Sequence, residues 1–557
     1  MAPTPTPAAG APTGPVLDVA GYGLAYATQA GPFQALQDVH LRVMPGQTVG
    51  LVGESGSGKT SLAWAILRYL PDNAVESGGP ILLSGQDLRQ KTPRQILEIR
   101  GRRISMVFQD PSTSLNPTMR MGEQIAEVLM RHRGLTRREA TERGQDMLAR
   151  TGITRPTEMM QRYPHEASGG EKQRVVIASA FACNPEMIIF DEPTTALDII
   201  TARQILDLFL QLREETGVAG LYISHDLGLV SRIADEVSVI HRGRIVESGP
   251  TARVFGAPRE AYTRALLAAV PRPDVRLSGP APDAATPAVL QATGVTVRYG
   301  AKSRLTRMFS RHSDEVLGAA DVSFGVRPGE LLGVVGESGS GKSSMAKVLA
   351  GLQDFEGKVA FAGRGFSRRK AFDRGYRRGV QIVFQHPDAS LNPRQRIGQI
   401  IARPLKLHGL VPSGQIRAQV ATLLEKVLLP ADYADRWPHQ LSGGEKQRVA
   451  IARAFAADPA VVICDEITSS LDVSVQAAIA RLLIGLQAET ATGCIFITHD
   501  LNLVRQLAHR IAVMQHGRLV DLFPADAATD PARHPYTRAL LQAVPDPAEV
   551  LSRLQTV

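Results

Sequence analysis

The sequence predicts an α/β fold written twice: two tandem domains, each a mainly parallel sheet core with a helical insertion. Two observations predict it. First, the chain repeats itself. GESGSGK stands at 53–59 and 336–342, SGGEKQRV at 168–175 and 442–449, and YTRALL at 262–267 and 536–541. The offsets are 283 residues for the first pair and 274 for the other two. One module of about 260 residues is therefore duplicated, a period far too long for a solenoid. Second, short apolar runs alternate with helical stretches inside each copy, the pattern of a parallel sheet with crossover helices.

Taken in chain order, TVGLV at 48–52 and LLGVV at 331–335 read as strands that end in a glycine-rich turn. Residues 61–70 and 344–352 follow as helices. The runs at 187–190 and 460–463 are short apolar strands ending in carboxylates, and 221–224 and 494–498 are further strands. Between 110 and 165, and again between 386 and 440, the pattern turns polar and helical, which marks the insertions. Residues 271–288 are rich in Pro and Ala without hydrophobic periodicity and read as an extended, semi-flexible linker. The Pro/Thr/Ala-rich residues 1–15 read as a disordered tail. The domains are then 16–270 and 289–557.

Composition bounds the function classes. Of 557 residues, 44% are hydrophobic and 21% charged, which excludes a disordered, collagen-like or coiled-coil chain. No run approaches the ~18 apolar residues of a membrane-spanning helix. The start has neither a basic n-region nor an apolar h-region, so no secretory signal is expected and the chain reads as soluble and intracellular. A net charge of +9 over this length is mild. It suits an anionic ligand or a membrane surface and does not make a nucleic-acid binder. Cys183, Cys464 and Cys494 fit no disulfide, zinc or iron–sulfur spacing and read as buried free thiols.

The chemistry begins at Gly53-x4-Gly58-Lys59-Thr60 and Gly336-x4-Gly341-Lys342-Ser343. Glycines, Gly56 and Gly339 among them, let the loop wrap so that backbone N–H groups, with those of Ser55, Ser61, Ser338 and Ser344, face phosphate oxygens. The following helix offers its positive end. Lys59 and Lys342 reach the β/γ-phosphates, and the hydroxyls of Thr60 and Ser343 bind Mg²⁺. Asp191-Glu192 and Asp465-Glu466 each end an apolar strand, where adjacent buried carboxylates are costly without a cation. The first can hold Mg²⁺ and the second can orient and deprotonate an attacking water. His225 and His499 lie 34 residues beyond Asp191 and Asp465, a repeated spacing that assigns them to a γ-phosphate contact.

These residues, together with Ser168-Gly169-Gly170-Glu171 and Ser442-Gly443-Gly444-Glu445, resemble the signature set of ATP-binding-cassette (ABC) ATPases, a P-loop NTPase family. The resemblance covers both halves in the right order. It implies that Gln109 and Gln385 are Q-loop residues touching Mg²⁺, that Ala196-Leu197-Asp198 and Ser470-Leu471-Asp472 are D-loops, and that Tyr26 and Tyr299 stack on adenine. FQDPSTSLNP at 108–117, FQHPDASLNP at 384–393 and the two YTRALL segments are similar to the oligopeptide/dipeptide/nickel importer branch, in its fused two-cassette form.

Family geometry further implies composite sites. ATP on Lys59, Thr60, Gln109, Asp191, Glu192 and His225 would meet Ser442 and Gly444. ATP on Lys342, Ser343, Gln385, Asp465, Glu466 and His499 would meet Ser168 and Gly170. The resemblance also implies two integral-membrane permeases docking near 110–127 and 386–403, an extracytoplasmic solute-binding protein, and a peripheral place on the cytoplasmic face of the membrane. The sequence departs from the family pattern at Ala167, where Leu is usual, at Glu171 and Glu445, where Gln is commonest, and at Ile467, where the first copy has Pro193. Some relatives carry a Cys-rich iron–sulfur extension after YTRALL, and none is expected in a chain with three cysteines.

The rival class is a soluble tandem ABC ATPase acting on ribosomes. Such proteins usually carry a long charged helical linker, and this linker is short and Pro/Ala-rich. A DNA-repair ATPase of the superfamily would need zinc cysteines or a long coiled coil. Two complete sets of catalytic residues argue against a non-catalytic scaffold. The basic segment 301–312, AKSRLTRMFSRH, lengthens the Tyr-to-Lys spacing from 33 residues in the first copy to 43 in the second. It reads as a solvated loop or, more sharply, as a contact for anionic lipid.

Overall fold

The structure is a computed structural model that describes residues 14–29, 31–195, 197–300, 316–469 and 471–544. The expected tail, up to residue 13, and the basic segment 301–312 lie outside the described residues. The chain divides into two compact units that meet in sequence between Val270 and Pro271.

In the first unit, Thr48–Val52, Glu236–His241, Ala219–Ser224, Met187–Asp191 and Ile104–Val107 form a parallel sheet, closed on one edge by antiparallel Arg244–Pro250. The spatial order is Arg244–Pro250, Glu236–His241, Thr48–Val52, Ala219–Ser224, Met187–Asp191, Ile104–Val107. Thr48–Val52, Met187–Asp191 and Ala219–Ser224 are buried at every residue. Helices cover both faces of such a sheet, so its strands read as unbroken apolar runs and not as alternations. The second unit repeats the sheet as Val380–Val383, Val461–Asp465, Gly493–Ile497, Leu331–Val335, Arg510–Gln515 and Arg518–Pro524. Each unit adds a smaller antiparallel sheet, built around Leu17–Thr28 and Gly31–Val43 in the first and Leu290–Tyr299 and Val316–Val326 in the second.

The helical insertion of the first unit comprises Met121–Arg133, Arg137–Arg150 and Pro156–Gln161. Thr136 and Glu139 form a reciprocal capping box that starts the second of these. Ile125, Leu129, Met147, Leu148 and Met160 pack the insertion onto Val175 and Ile177 of the helix Gly169–Phe181. Ile397–His408 and Ile416–Lys426 play that part in the second unit.

The Pro/Ala-rich stretch is not a free spacer along its length, because its backbone finds partners in the second unit. Leu277 N–H donates to Gln506 O at 2.9 Å. His509 Nε2 lies 3.2 Å from Gly279 O, and Arg327 donates to the carbonyls of Ala284 and Thr286 at 3.1 Å each. The three cysteines are buried and free. Among the described residues no helix is long and apolar enough to cross a membrane.

Candidate active site

The carboxyl ends of four neighbouring parallel strands deliver the site, as they do in open α/β sheets generally. Thr48–Val52 runs into the glycine loop, Ala219–Ser224 into His225, Met187–Asp191 into Glu192, and Ile104–Val107 into Gln109. The register Val52↔Ser224 and Asp191↔Ile223 sets these ends level. Residues distant in sequence thus converge because hydrogen-bonded strands stop together.

The loop turns sharply at Gly53 (φ 159°) and Gly336 (φ 150°). A Cβ at Gly53 would lie 2.2 Å from Ile240 O, and one at Gly336 would lie 2.1 Å from Met514 O, so only glycine fits. The helices Lys59–Ile66 and Lys342–Leu349 follow, and neither has a side-chain cap. A helix start after such a loop is the kind of place that holds an anion. Lys59 Nζ donates to Gly53 O at 2.8 Å and Glu54 O at 2.9 Å; Lys342 Nζ donates to Gly336 O at 2.8 Å and Glu337 O at 2.7 Å. Ser57 Oγ is buried without a hydrogen-bond partner among the described residues, whereas the equivalent Ser340 Oγ accepts from Lys342 Nζ at 3.3 Å.

Of the residues assigned to the cation, the hydroxyl and the aspartate meet in both units, while Gln109 and Gln385 bond Glu192 and Glu466 instead. Thr60 Oγ1 donates to Asp191 Oδ1 at 3.3 Å, and Ser343 Oγ to Asp465 Oδ1 at 3.0 Å. Burial pushes the Asp191 carboxyl up to about 6, against the Thr60 hydrogen bond. Burial likewise raises Asp465, against its Ser343 bond. A cation beside either would favour the ionised form, and hydroxyl plus carboxylate oxygens suit a hard ion. The residues thus fit Mg²⁺, which when bound neutralises and orients phosphate oxygens.

Glu192 and Glu466 sit in the left-handed region at φ 47° and 51°, an uncommon conformation for a residue with a side chain. Their N–H groups are held by Ile223 O and Ile497 O, each at 2.9 Å. Gln109 Nε2 donates to Glu192 Oε2 at 3.0 Å, and Gln385 Nε2 to Glu466 Oε2 at 2.9 Å. Thr195 Oγ1 also donates to Glu192, at 3.1 Å. His225 Nδ1 lies 3.1 Å from Glu192 Oε1. Burial pushes Glu192 up, but its hydrogen bond to His225 and that ring's charge outweigh burial and hold the carboxyl below its ordinary value. Burial pushes His225 down, and the same contact outweighs it and raises the ring. The second unit differs: among the described residues no ion pair joins His499 to Glu466. Asp226 and Asp500 cap the helices that follow the two histidines.

Tyr26 Oη donates to Ser61 Oγ at 3.2 Å, and Tyr299 Oη lies 3.0 Å from Ser344 Oγ. Both tyrosines are thus tethered one residue beyond Thr60 or Ser343. Ser168 and Ser442 open the helices Gly169–Phe181 and Gly443–Phe455 through capping boxes with Glu171 and Glu445. Glutamate therefore serves where glutamine is commoner, because either side chain can close the box. A Cβ at Gly170 would lie 2.7 Å from Thr201 Cγ2, and one at Gly444 would lie 2.7 Å from Val475 Cγ1, so both are close-packing glycines. Leu441 is buried, and Ala167 packs partly buried against the first unit's core. Asp198 and Asp472 are helix N-caps, while Ala196 and Ser470 lie outside the described residues.

Two residues escape the sequence reading. Tyr262 Oη accepts from Glu54 N–H at 3.1 Å, and Tyr536 Oη from Glu337 N–H at 3.0 Å. The repeated YTRALL was the available signal, but nothing in it tells that the tyrosine reaches the glycine loop.

Comparison with known proteins agrees with this geometry. The ABC transporter family matches residues 36–195 and 319–469, and the oligopeptide/dipeptide transporter C-terminal region matches 246–294 and 521–557. The glutathione import ATP-binding protein GsiA of Salmonella paratyphi A is 40% identical, over 95% of this chain and 89% of its own length. Its namesake in Escherichia coli K12 is 39% identical, over 96% and 90%. An archaeal ribosome recycling factor, solved with a ribosomal stalk protein, shares the fold with a TM-score of 0.58 at 19% identity, covering 90% of each chain. The two family matches, and about 40% identity over nine-tenths of the two import proteins, place this chain in the ABC transporter family, as a fused two-cassette ATPase of the oligopeptide/dipeptide importer branch that binds and hydrolyses ATP with Mg²⁺.

Proposed function

We propose that the chain is the motor subunit of an importer for small peptide-like solutes, glutathione among them, working with two permeases and a solute-binding protein on the cytoplasmic face of the membrane. The observation that carries this reading is that each intact ATPase set is followed by its own copy of the oligopeptide/dipeptide transporter C-terminal region. Lys59, Lys342 and the loop amides hold the phosphates. Thr60 with Asp191, and Ser343 with Asp465, hold Mg²⁺. Glu192 and Glu466 accept the proton of the attacking water, and His225 and His499 contact the γ-phosphate. Ser168, Gly170, Ser442 and Gly444 supply further γ-phosphate donors.

A cleft of about 480 Å³ in the first unit supports permease docking beside Gln109. It runs between sheet core and helical insertion and is lined by Tyr69, Arg100, Phe108, Leu115, Gln124 and Val128. Tyr69 is 62% exposed and Phe108 38%, an apolar lip of the kind that marks an interaction site. The test is to purify the chain together with the permeases encoded beside it. One chain per two permease subunits supports the reading; ribosome co-sedimentation without permease association defeats it.

A further inference from the structure

We propose that Tyr262 and Tyr536 are positioning residues of the two phosphate loops, each holding by its hydroxyl the Gly–Glu peptide whose carbonyl holds the loop lysine. The Gly53–Glu54 peptide is gripped at both ends. Its N–H donates to Tyr262 Oη at 3.1 Å, and its C=O accepts from Lys59 Nζ at 2.8 Å. In the second unit the Gly336–Glu337 peptide does the same, with 3.0 Å to Tyr536 Oη and 2.8 Å to Lys342 Nζ. A peptide unit is planar, so fixing the direction of its N–H fixes the direction of its C=O. The tyrosine thereby sets where the lysine ammonium rests before it meets phosphate.

The two copies separate this bond from the packing around it. Tyr262 is stacked on His241, with centroids 3.9 Å apart and planes 11° apart. His241 ends the strand beside Thr48–Val52, and the second unit has Gln515 at the end of the equivalent strand. Tyr536 is instead buried, at 7% exposure. The ring's surroundings have changed and the hydroxyl-to-peptide bond has not. Both tyrosines belong to stretches matched by the transporter C-terminal region. That region therefore reaches back across 208 and 199 residues to brace the nucleotide site of its own unit. The inference rests on ATP binding alone and stands whichever solute or partner the chain serves.

The test is Tyr262→Phe with Tyr536→Phe in the full chain, which removes two hydroxyl groups and keeps both rings. One hydrogen bond is commonly worth about fivefold in an equilibrium constant. Calorimetric titration with MgATP should show affinity weakened about fivefold at both sites. The thermal midpoint of the nucleotide-free chain should fall by no more than about 4 °C, the cost of one lost hydrogen bond in a domain of this size, and kcat should fall by less than KM rises. Each single variant should weaken one of two sites only. Wild-type affinity in the double variant would overturn the proposal. So would a drop in thermal midpoint well beyond about 4 °C accompanying the loss of affinity, because a tyrosine that only holds the fold together predicts that result.

Discussion

Gln109 and Glu192, 83 residues apart in sequence, meet side chain to side chain: Gln109 Nε2 donates to Glu192 Oε2 at 3.0 Å. Gln385 and Glu466 make the same contact at 2.9 Å. The glutamine at the edge of the helical insertion thus touches the carboxylate assigned to the attacking water. A rigid-body shift of the insertion would move this donor, which gives a partner on the insertion a direct mechanical route to the reacting centre. Gln109→Ala with Gln385→Ala should lower turnover about tenfold, the scale of one lost charged hydrogen bond, and should abolish its response to solute-loaded binding protein. MgATP affinity should hold. ATPase assays of the assembled complex, with and without binding protein, check both.

Glu192→Gln and Glu466→Gln should each reduce turnover and together abolish it, while ATP binding survives. Removing a positioned general base typically costs ~10²–10⁴-fold. Phosphate release measured beside nucleotide binding on the same preparation separates chemistry from affinity.

Asp191→Asn should stabilise the nucleotide-free chain while impairing ATP hydrolysis. Burial raises the Asp191 carboxyl to about 6, so its ionised form is penalised only when folded. The stability this group contributes is present below the unfolded value of 3.8 and lost as pH rises through about 6. At pH 7 the wild type therefore carries a penalty of up to about 3 kcal/mol that the amide lacks. Thermal melts at pH 5 and pH 7.5 check the sign: the variant's advantage at the lower pH should be about half that at the higher.

Phe108→Asp should weaken permease association without changing MgATP affinity, because it places a charge on the apolar lip of the cleft. Burying an unpaired carboxylate is costly, so affinity for detergent-solubilised permeases should fall at least tenfold. Titration of the permease pair onto immobilised chain reads this directly.

Much of the architecture is legible in the residues. The strands expected at 48–52 and 331–335 coincide with those observed, because a sheet buried on both faces leaves uninterrupted apolar runs. The helices after the glycine loops start two residues earlier than expected, at Lys59 and Lys342. They also end earlier, at Ile66 and Leu349, and the reason is tertiary. Arg100 donates to Leu67 O at 2.8 Å and Arg68 O at 2.7 Å, and Tyr376 Oη donates to Leu349 O at 2.6 Å. Partners 27 to 33 residues away satisfy the terminal carbonyls, and no local pattern announces them. The candidate groups were legible because each stands within two residues of a strand's end in both copies. The tyrosine brace, the anchoring of the linker through His509, and the Glu192–His225 pair without a described counterpart in the second unit depend on packing between distant segments.

ATP turnover of the chain assembled with its two permeases in lipid vesicles, compared with and without solute-loaded binding protein, tests the central claim most directly. The account predicts turnover that rises severalfold with loaded binding protein, falls back with the unloaded form, and disappears in the Glu192→Gln, Glu466→Gln double variant. Turnover indifferent to binding protein, in a complex shown to contain all the partners, would contradict it.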